Sequence, residues 1–241
     1  MVNSQNVVKH TWDDLNRMKS VQTVLDGSVT SYRADGMRVR KVENVLVSAV
    51  LDDNEQVSGY HDVFPMNKPT TRFYHDGQAG MEEDHTVEGQ PGQSAQLTVT
   101  RHALGARGTD ARYVSVNGAE ETSAYPLYDG HGNMVGEVAR AGSSPWFTLG
   151  SQRKYDAWGQ VRSGSGPDQG YCANLQHRRD AESGLVYMRA RYYEPWTGRF
   201  LSEDPAMDGP NWYVYCGNDP GNMGDPDGKE DEETARGVDR A

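Results

Sequence analysis

Tyr32-Arg33-Ala34-Asp35-Gly36-Met37-Arg38-Val39-Arg40-Lys41-Val42 decides the fold of this chain. The aromatic residue ends one strand. Asp and Gly supply a turn with φ > 0. The alternation after Met37 starts a return strand with apolar side chains on one face. Trp12-Asp13-Asp14-Leu15-Asn16-Arg17-Met18 carries the same pattern. So do Tyr128-Asp129-Gly130-His131-Gly132-Asn133-Met134-Val135 and Tyr155-Asp156-Ala157-Trp158-Gly159-Gln160-Val161, with Tyr74-His75-Asp76-Gly77 as a weaker copy. Spacings of roughly 20 to 30 residues fit one hairpin per repeat, and such a unit must stack on its neighbours to cover its apolar face. The predicted fold is all-β: antiparallel hairpins stacked on one another, followed by a β- and turn-rich C-terminal core.

Helical signal is scarce. Asp180–Arg191 reads as a turn at Glu182-Ser183-Gly184 followed by a strand, because Leu185, Tyr187, Arg189 and Arg191 alternate with Val186, Met188, Ala190 and Tyr192. Thr86–Ala95 and Ser163–Gly170 are the expected loops, rich in Gly, Ser and Pro. The second divides a repeat region, 1–162, from a core, 171–228, with 163–170 as linker and 229–241 as an acidic tail without fixed structure.

Composition narrows the function. Apolar residues make up 35% of the 241, Gly numbers 27, and Tyr (13) outnumbers Phe (4). That suits a sheet with one wet face, where Tyr offers an apolar body and a polar tip. A net charge of −11 argues against nonspecific nucleic-acid binding, which needs clustered cations. No apolar run approaches a membrane span. The N-terminus shows no signal-peptide pattern. Cys172 and Cys216 are too few and too far apart for a disulfide framework or a metal knuckle, and read as buried thiols, with a single bridge between them as the alternative.

The C-terminal stretch carries the most specific signal. It runs Asp180-Ala181-Glu182-Ser183-Gly184-Leu185-Val186-Tyr187-Met188-Arg189-Ala190-Arg191-Tyr192-Tyr193, then Pro195-Trp196-Thr197-Gly198-Arg199-Phe200 and Ser202-Glu203-Asp204-Pro205. Tyr213-Val214-Tyr215, Asn218-Asp219-Pro220 and Asp225-Pro226-Asp227-Gly228 follow. These pieces, in this order, resemble the RHS-repeat (YD-repeat) family and its RHS repeat-associated core domain. Tyr187, Arg189, Arg191, Tyr192, Tyr193, Gly198, Phe200 and Asn218 carry the motif. The resemblance implies a bacterial, secreted or cell-surface protein whose hairpins form a curled or spiralling antiparallel sheet, here a partial shell, capped by the core, which plugs one end of the hollow shell in that family. It also implies a variable toxin cargo, and in many members an aspartic-type autoprotease that cuts after the Asp-Pro-x-Gly motif.

Peptide hydrolysis by two carboxylates needs one ionised group to activate water and one protonated group to serve the leaving amine. On the family pattern Asp204 and Asp225 are the catalytic candidates, Arg199 their cationic partner, and Gly228, Lys229 and Glu230 the cleavage region. The alternative is that Asp204 and Asp225 only form turns, as Asp208 and Asp219 are expected to do. Where the family usually has an apolar residue, Lys229 stands, and a Lys costs more to bury. The segment after Gly228 is too short to be a folded toxin.

Other chemistries have weaker signals. The histidines are scattered without zinc spacing. Asp225–Lys229 starts like a calcium loop but puts a cation where a ligand oxygen belongs. No phosphate loop or nucleophile elbow occurs, so neither cofactor nor metal is expected. The Arg189/Arg191 and Tyr192/Tyr193 cluster reads as Arg stems packed on rings rather than a nucleic-acid site. The leading expectation is thus a β scaffold of a toxin-delivery or cell-contact protein. Self-cleavage comes second, and a sugar-binding surface built on Trp146, Trp158, Trp196 and Trp212 third. Expected partners are an RHS shell or further copies, joined through open sheet edges.

Overall fold

The structure, a computed structural model, describes residues 7–23, 27–43, 46–51, 57–63, 69–77, 79–88, 94–106, 108–141, 144–207, 209–229 and 232–233. The chain opens with β1 (Val7–Trp12), β2 (Met18–Thr23), β3 (Gly27–Tyr32) and β4 (Arg38–Glu43). A separate hairpin follows, β5 (Leu46–Leu51) and β6 (Val57–Val63). Next come β7 (Thr70–Asp76), β8 (Ala79–Val87), β9 (Gln96–Gly105), β10 (Gly108–Val116), β11 (Thr122–Tyr128), β12 (Met134–Ala141) and β13 (Thr148–Gly150). All of these except β5 and β6 form one open antiparallel sheet of eleven strands, in which β4 pairs directly with β7. β14 (Arg153–Tyr155) and β15 (Val161–Gly164) form a further hairpin. A four-stranded sheet combines β16 (Arg178–Arg179), β17 (Val186–Met188), β18 (Arg191–Glu194) and β19 (Arg199–Phe200). β20 (Met223–Gly224) pairs with β21 (Glu232–Glu233). There is no α-helix among the described residues, so the chain is all-β and antiparallel, with sheets that do not close.

The repeat is visible in the turns. Asp13, Asp129 and Asp156 each accept, on Oδ1, the backbone N–H groups two and four residues on. Asp35 accepts the N–H of Met37. In each turn the N–H of the first residue donates to the carbonyl four residues on: Asp13 to Arg17, Arg33 to Met37, Asp129 to Asn133 and Asp156 to Gln160. In every copy the register shifts beside the aromatic residue, at Trp12, Tyr32, Tyr128 and Tyr155, and such bulges sharpen the local twist.

The tips of successive hairpins converge on one short segment. Gln176 holds the backbone of Gly80 through both ends of its amide. A Cβ on Gly108 would lie 2.0 Å from the Asn174 carbonyl oxygen, one on Gly132 2.1 Å from the Asn174 side chain, and one on Gly159 2.5 Å from the Tyr171 ring. β8 and β12 are four strand spacings apart, about 19 Å in a flat sheet, yet their tips touch neighbouring residues. The sheet therefore curls around residues 171–176.

Two apolar clusters fill the centre. Tyr171, Cys172, Val186, Met188, Tyr193, Phe200, Tyr215 and Cys216 form one. Met18 and Val21 from β2 meet Leu185, Tyr187 and Tyr192 in the other. Cys172 and Cys216 are buried and not joined by a disulfide, and burial pushes the Cys172 thiol up to about 12, an unreactive state.

Three local expectations change. Val186–Glu194 is a hairpin, not one strand, because Arg189 (φ 57°) and Ala190 make a two-residue turn between β17 and β18. Thr86 lies inside β8 and Ser163 inside β15. Residues 165–170 are pinned rather than loose: Arg153 donates to the carbonyls of Pro167 and Gln169. Glu230, Asp208 and most of the acidic tail lie outside the described residues.

Candidate functional site

The two-residue turn between β17 and β18 builds the site. Residues Asp225–Gly228 lie across it as a strap, held by their backbone carbonyls. Pro226 O accepts from Arg189 Nη1 and, at 3.3 Å, from His177 Nε2. Asp227 O accepts the N–H of Ala190 at 3.0 Å. Gly228 O accepts Arg191 Nε. Gly228 sits at φ +77°, where a Cβ would lie 2.2 Å from Met188 O, so the close approach requires glycine.

His177 is buried, and its Nδ1 has no partner among the described residues. Burial, with the Arg189 charge beside it, drives its imidazole down to about 3. It therefore serves the strap as a neutral N–H donor.

Asp225 is fully buried. Its Oδ1 accepts the N–H groups of Asp227, Gly228 and Lys229 at 3.3, 2.7 and 3.1 Å. Its Oδ2 accepts Arg191 Nη2 at 3.3 Å. Asp204 lies at the other end of the same guanidinium, with Oδ2 3.7 Å from Arg191 Nη1. Asp204 also accepts the N–H of Ala206 at 2.9 Å, the turn-forming contact expected of Asp-Pro. Arg191 completes its fork on Trp212 O at 3.1 Å and stacks 3.6 Å over the Phe200 ring.

The structure thus brings Asp204, Asp225, Gly228 and Lys229 together, but the cation between them is Arg191. Arg199 is exposed on β19, where it pairs in register with Glu194 and bridges Val214. Its neighbour Phe200 points inward, and strand alternation places Arg199 on the opposite face. The other motif residues frame the site. Tyr193 donates to Trp158 O at 2.9 Å, while the Trp158 ring would meet a Cβ on Gly198 at 2.6 Å. Tyr187 OH accepts the N–H of Arg38. Tyr192 OH accepts Arg38 Nη1. Asn218 ends three consecutive left-handed residues, Cys216, Gly217 and Asn218 (φ 49°, 55° and 65°).

Arg191, Asp204, Met207, Asn211, Asn218 and Lys229 are among the residues lining an open cleft of about 740 Å³. Lys229 is exposed there, so its charge stays in water and the burial cost weighed against it does not arise. In a hydrolytic pair, like charges at close range force the two carboxylates into different protonation states. Here a guanidinium separates them. The carboxylate of Asp225 receives donors from the strap that follows it, while Asp204 faces the cleft. Trp146, Trp158, Trp196 and Trp212 lie in four separate turns and loops, with Trp146 and Trp196 well exposed and Trp212 flanking Arg191.

No family model matches the chain. It is 26% identical to the tRNA nuclease WapA of Bacillus subtilis, over 92% of this chain and 11% of that protein. It is 30% identical to the probable deoxyribonuclease RhsB of Dickeya dadantii, over 91% of this chain and 13% of that one. A stretch of 52 residues is 54% identical to toxin subunit YenC2 of Yersinia entomophaga. The crystal structure of TcdB2-TccC3-Cdc42 superposes with a TM-score of 0.69 at 21% identity, covering 93% of this chain and 10% of that one. A Photorhabdus luminescens Tc holotoxin pore superposes with a TM-score of 0.64 at 19% identity, over 95% and 10%. At those identities the structures share the fold. The chain spans about a tenth of the length of the curated relatives it matches. These likenesses relate it to RHS-type toxin proteins. No helix among the described residues is long and apolar enough to cross a membrane.

Proposed function

We propose that the chain is the wall and plug of a secreted RHS-type toxin-delivery or cell-contact protein, and that its one chemical act is to cut itself just after Asp225–Gly228. In this reading residues 1–162 are wall, 163–170 connector, 171–228 plug and 229–241 the acidic lead into the released segment. The wall joins a larger shell, or further copies, through the edges at β1 and β13. The nuclease activities named for the relatives belong to proteins about ten times longer and are not carried over.

One observation carries the cleavage reading. The Gly228–Lys229 peptide is gripped from both sides, its carbonyl by Arg191 Nε and its N–H by Asp225 Oδ1 at 3.1 Å. Arg191 is placed to take the negative charge that develops on that oxygen when water adds to the carbonyl, the role of an oxyanion donor. Asp204, at the cleft end of the fork, accepts the proton of the attacking water and returns it to the departing Lys229 amine. Asp225 fixes the substrate by accepting the N–H groups that follow it.

Intact mass of the purified full chain tests this. Cleavage at Gly228–Glu230 is expected in wild type and is abolished by Asp204→Asn. Arg191→Lys slows it by about a hundredfold, the typical cost of losing one oxyanion donor, whereas Arg199→Lys leaves the rate unchanged. A wild-type chain that keeps its full mass after long incubation rules the cleavage reading out and leaves the scaffold reading in place.

A further inference from the structure

The turn at Asp180–Ser183 holds a cluster of buried charge that the cleavage site does not use. Arg38 Nη1 donates to both oxygens of Asp180 at 2.9 Å. Lys41 Nζ lies 2.8 Å from Glu182 Oε2, 3.2 Å from Asp180 Oδ1 and 3.0 Å from Glu43 Oε1. Ser28 Oγ donates to Glu182 Oε1 at 2.6 Å. Arg38, Lys41, Asp180 and Glu182 are all under 10% exposed. Both cations come from β4 and both partner carboxylates from the turn before β17.

Superposing the hairpins by their closing turn bonds shows how unusual β4 is. Arg38 is equivalent to Met18, Met134 and Val161, and Lys41 to Val21, Glu137 and Gly164. Met18, Met134 and Val21 are buried apolar residues. Met18 and Val21 pack against Leu185, Tyr187 and Tyr192, beside the charged cluster. A plug displaced by one hairpin would set Asp180 and Glu182 against Met18 and Val21. That leaves two carboxylates buried without a partner, an arrangement that strongly disfavours the displaced register. A second contact of opposite polarity lies across the sheet. Glu83 of β8 is held by Arg178 of the plug, by His102 Nε2 at 2.8 Å and by Gln169 Nε2 at 3.1 Å.

We propose that this clasp is a register lock: the Asp180/Glu182 pair is a docking site for a hairpin bearing Arg and Lys at the positions of Arg38 and Lys41, and it selects β3–β4 from an array of similar hairpins. Buried ion pairs add little stability over apolar packing of the same volume, but they penalise wrong pairings heavily. A repeat array needs such a device because its units present nearly the same apolar face to anything that docks.

Hydrogen exchange by mass spectrometry on the full chain tests the lock, read over residues 186–194. Wild type shows one protected population. Arg38→Met with Lys41→Val strands both carboxylates and accelerates exchange by about a hundredfold or more. Adding Asp180→Leu and Glu182→Leu makes the clasp apolar throughout. Protection then returns, but in two populations, as the plug samples neighbouring hairpins. Arg38→Lys with Lys41→Arg keeps the charges and a single population. A single, wild-type-like population in the four-residue variant overturns the proposal, since register would not then depend on charge. Failure of that variant to regain protection also overturns it, because the clasp would be a source of stability rather than of choice.

Discussion

The curled sheet and the plug inside it are built from the same residue types but to different standards of packing. In β17 and β18 every residue is buried, on both faces of a short hairpin. Along β8 nearly every residue is half-exposed, and in β13 all three are exposed. Leu127, Phe147 and Leu149 stay well open to solvent. The plug is thus the centre of cohesion and the sheet is a wall with one covered side. The difference explains why so lean an apolar composition suffices: only the short inner segment needs a two-sided core.

Acid should break this contrast most strongly. The His177 imidazole in the folded plug takes a proton only near pH 3, whereas in the unfolded chain it does so near 6.5. The unfolded state therefore binds more protons below pH 6.5, and stability is lost progressively as pH falls from 6.5 towards 3, on the order of 4 kcal/mol. Glu83, held well below the usual carboxylate range despite its burial by Arg178 and His102, adds a loss of the same sign below about pH 4.5. Denaturant melts at pH 7 and pH 4 should show it, and His177→Gln should flatten the upper part of the profile. Equal midpoints at the two pH values would contradict the assigned burial.

Leu185→Ala should come next, at about 3 kcal/mol, because Leu185 is completely buried between β2 and the plug. Asp129→Ala removes an acceptor for two backbone N–H groups and the Asn133 amide, and should cost about 1–2 kcal/mol. Leu149→Ala, on the exposed edge strand, should change the midpoint by about 0.5 kcal/mol or less. Thermal unfolding ranks all three. A Leu149→Ala effect as large as that of Leu185→Ala would mean the sheet edge is covered in solution and the contrast between wall and plug is false.

The wall was legible because its signal is local. Aromatic, Asp and Gly at fixed spacing dictate a turn whatever surrounds them, and Asp13, Asp129 and Asp156 make the contacts that residue type demands. Asp204 and Asp225 could be placed by family pattern for a similar reason, since each starts a turn. The cation joining them could not be. Arg199 and Arg191 are both near Asp204 in sequence, and only the hairpin at Arg189–Ala190 decides which faces inward. Reading 185–192 as one strand hid that turn. A usable signal existed in Arg191 itself, an Arg set directly between Ala190 and the doubled Tyr192-Tyr193. The clasp had one too: aligning the repeats by their turns sets Arg38 against Met18 and Met134, a cation where methionine is the habit.

The hairpin tips have one last consequence. Gly108, Gly132 and Gly159 are pressed against the plug with no room for a methyl group, whereas Gly118, at the far end of β10, has nothing within 4 Å. Added bulk is therefore excluded at these three tips and meets open space at Gly118. A foreign loop spliced in after Gly118 should leave the contacts with residues 171–176 intact, while the same graft at His131–Gly132 would drive the tip away from Asn174. Added length is expected to be tolerated best on the rim that faces away from residues 171–176.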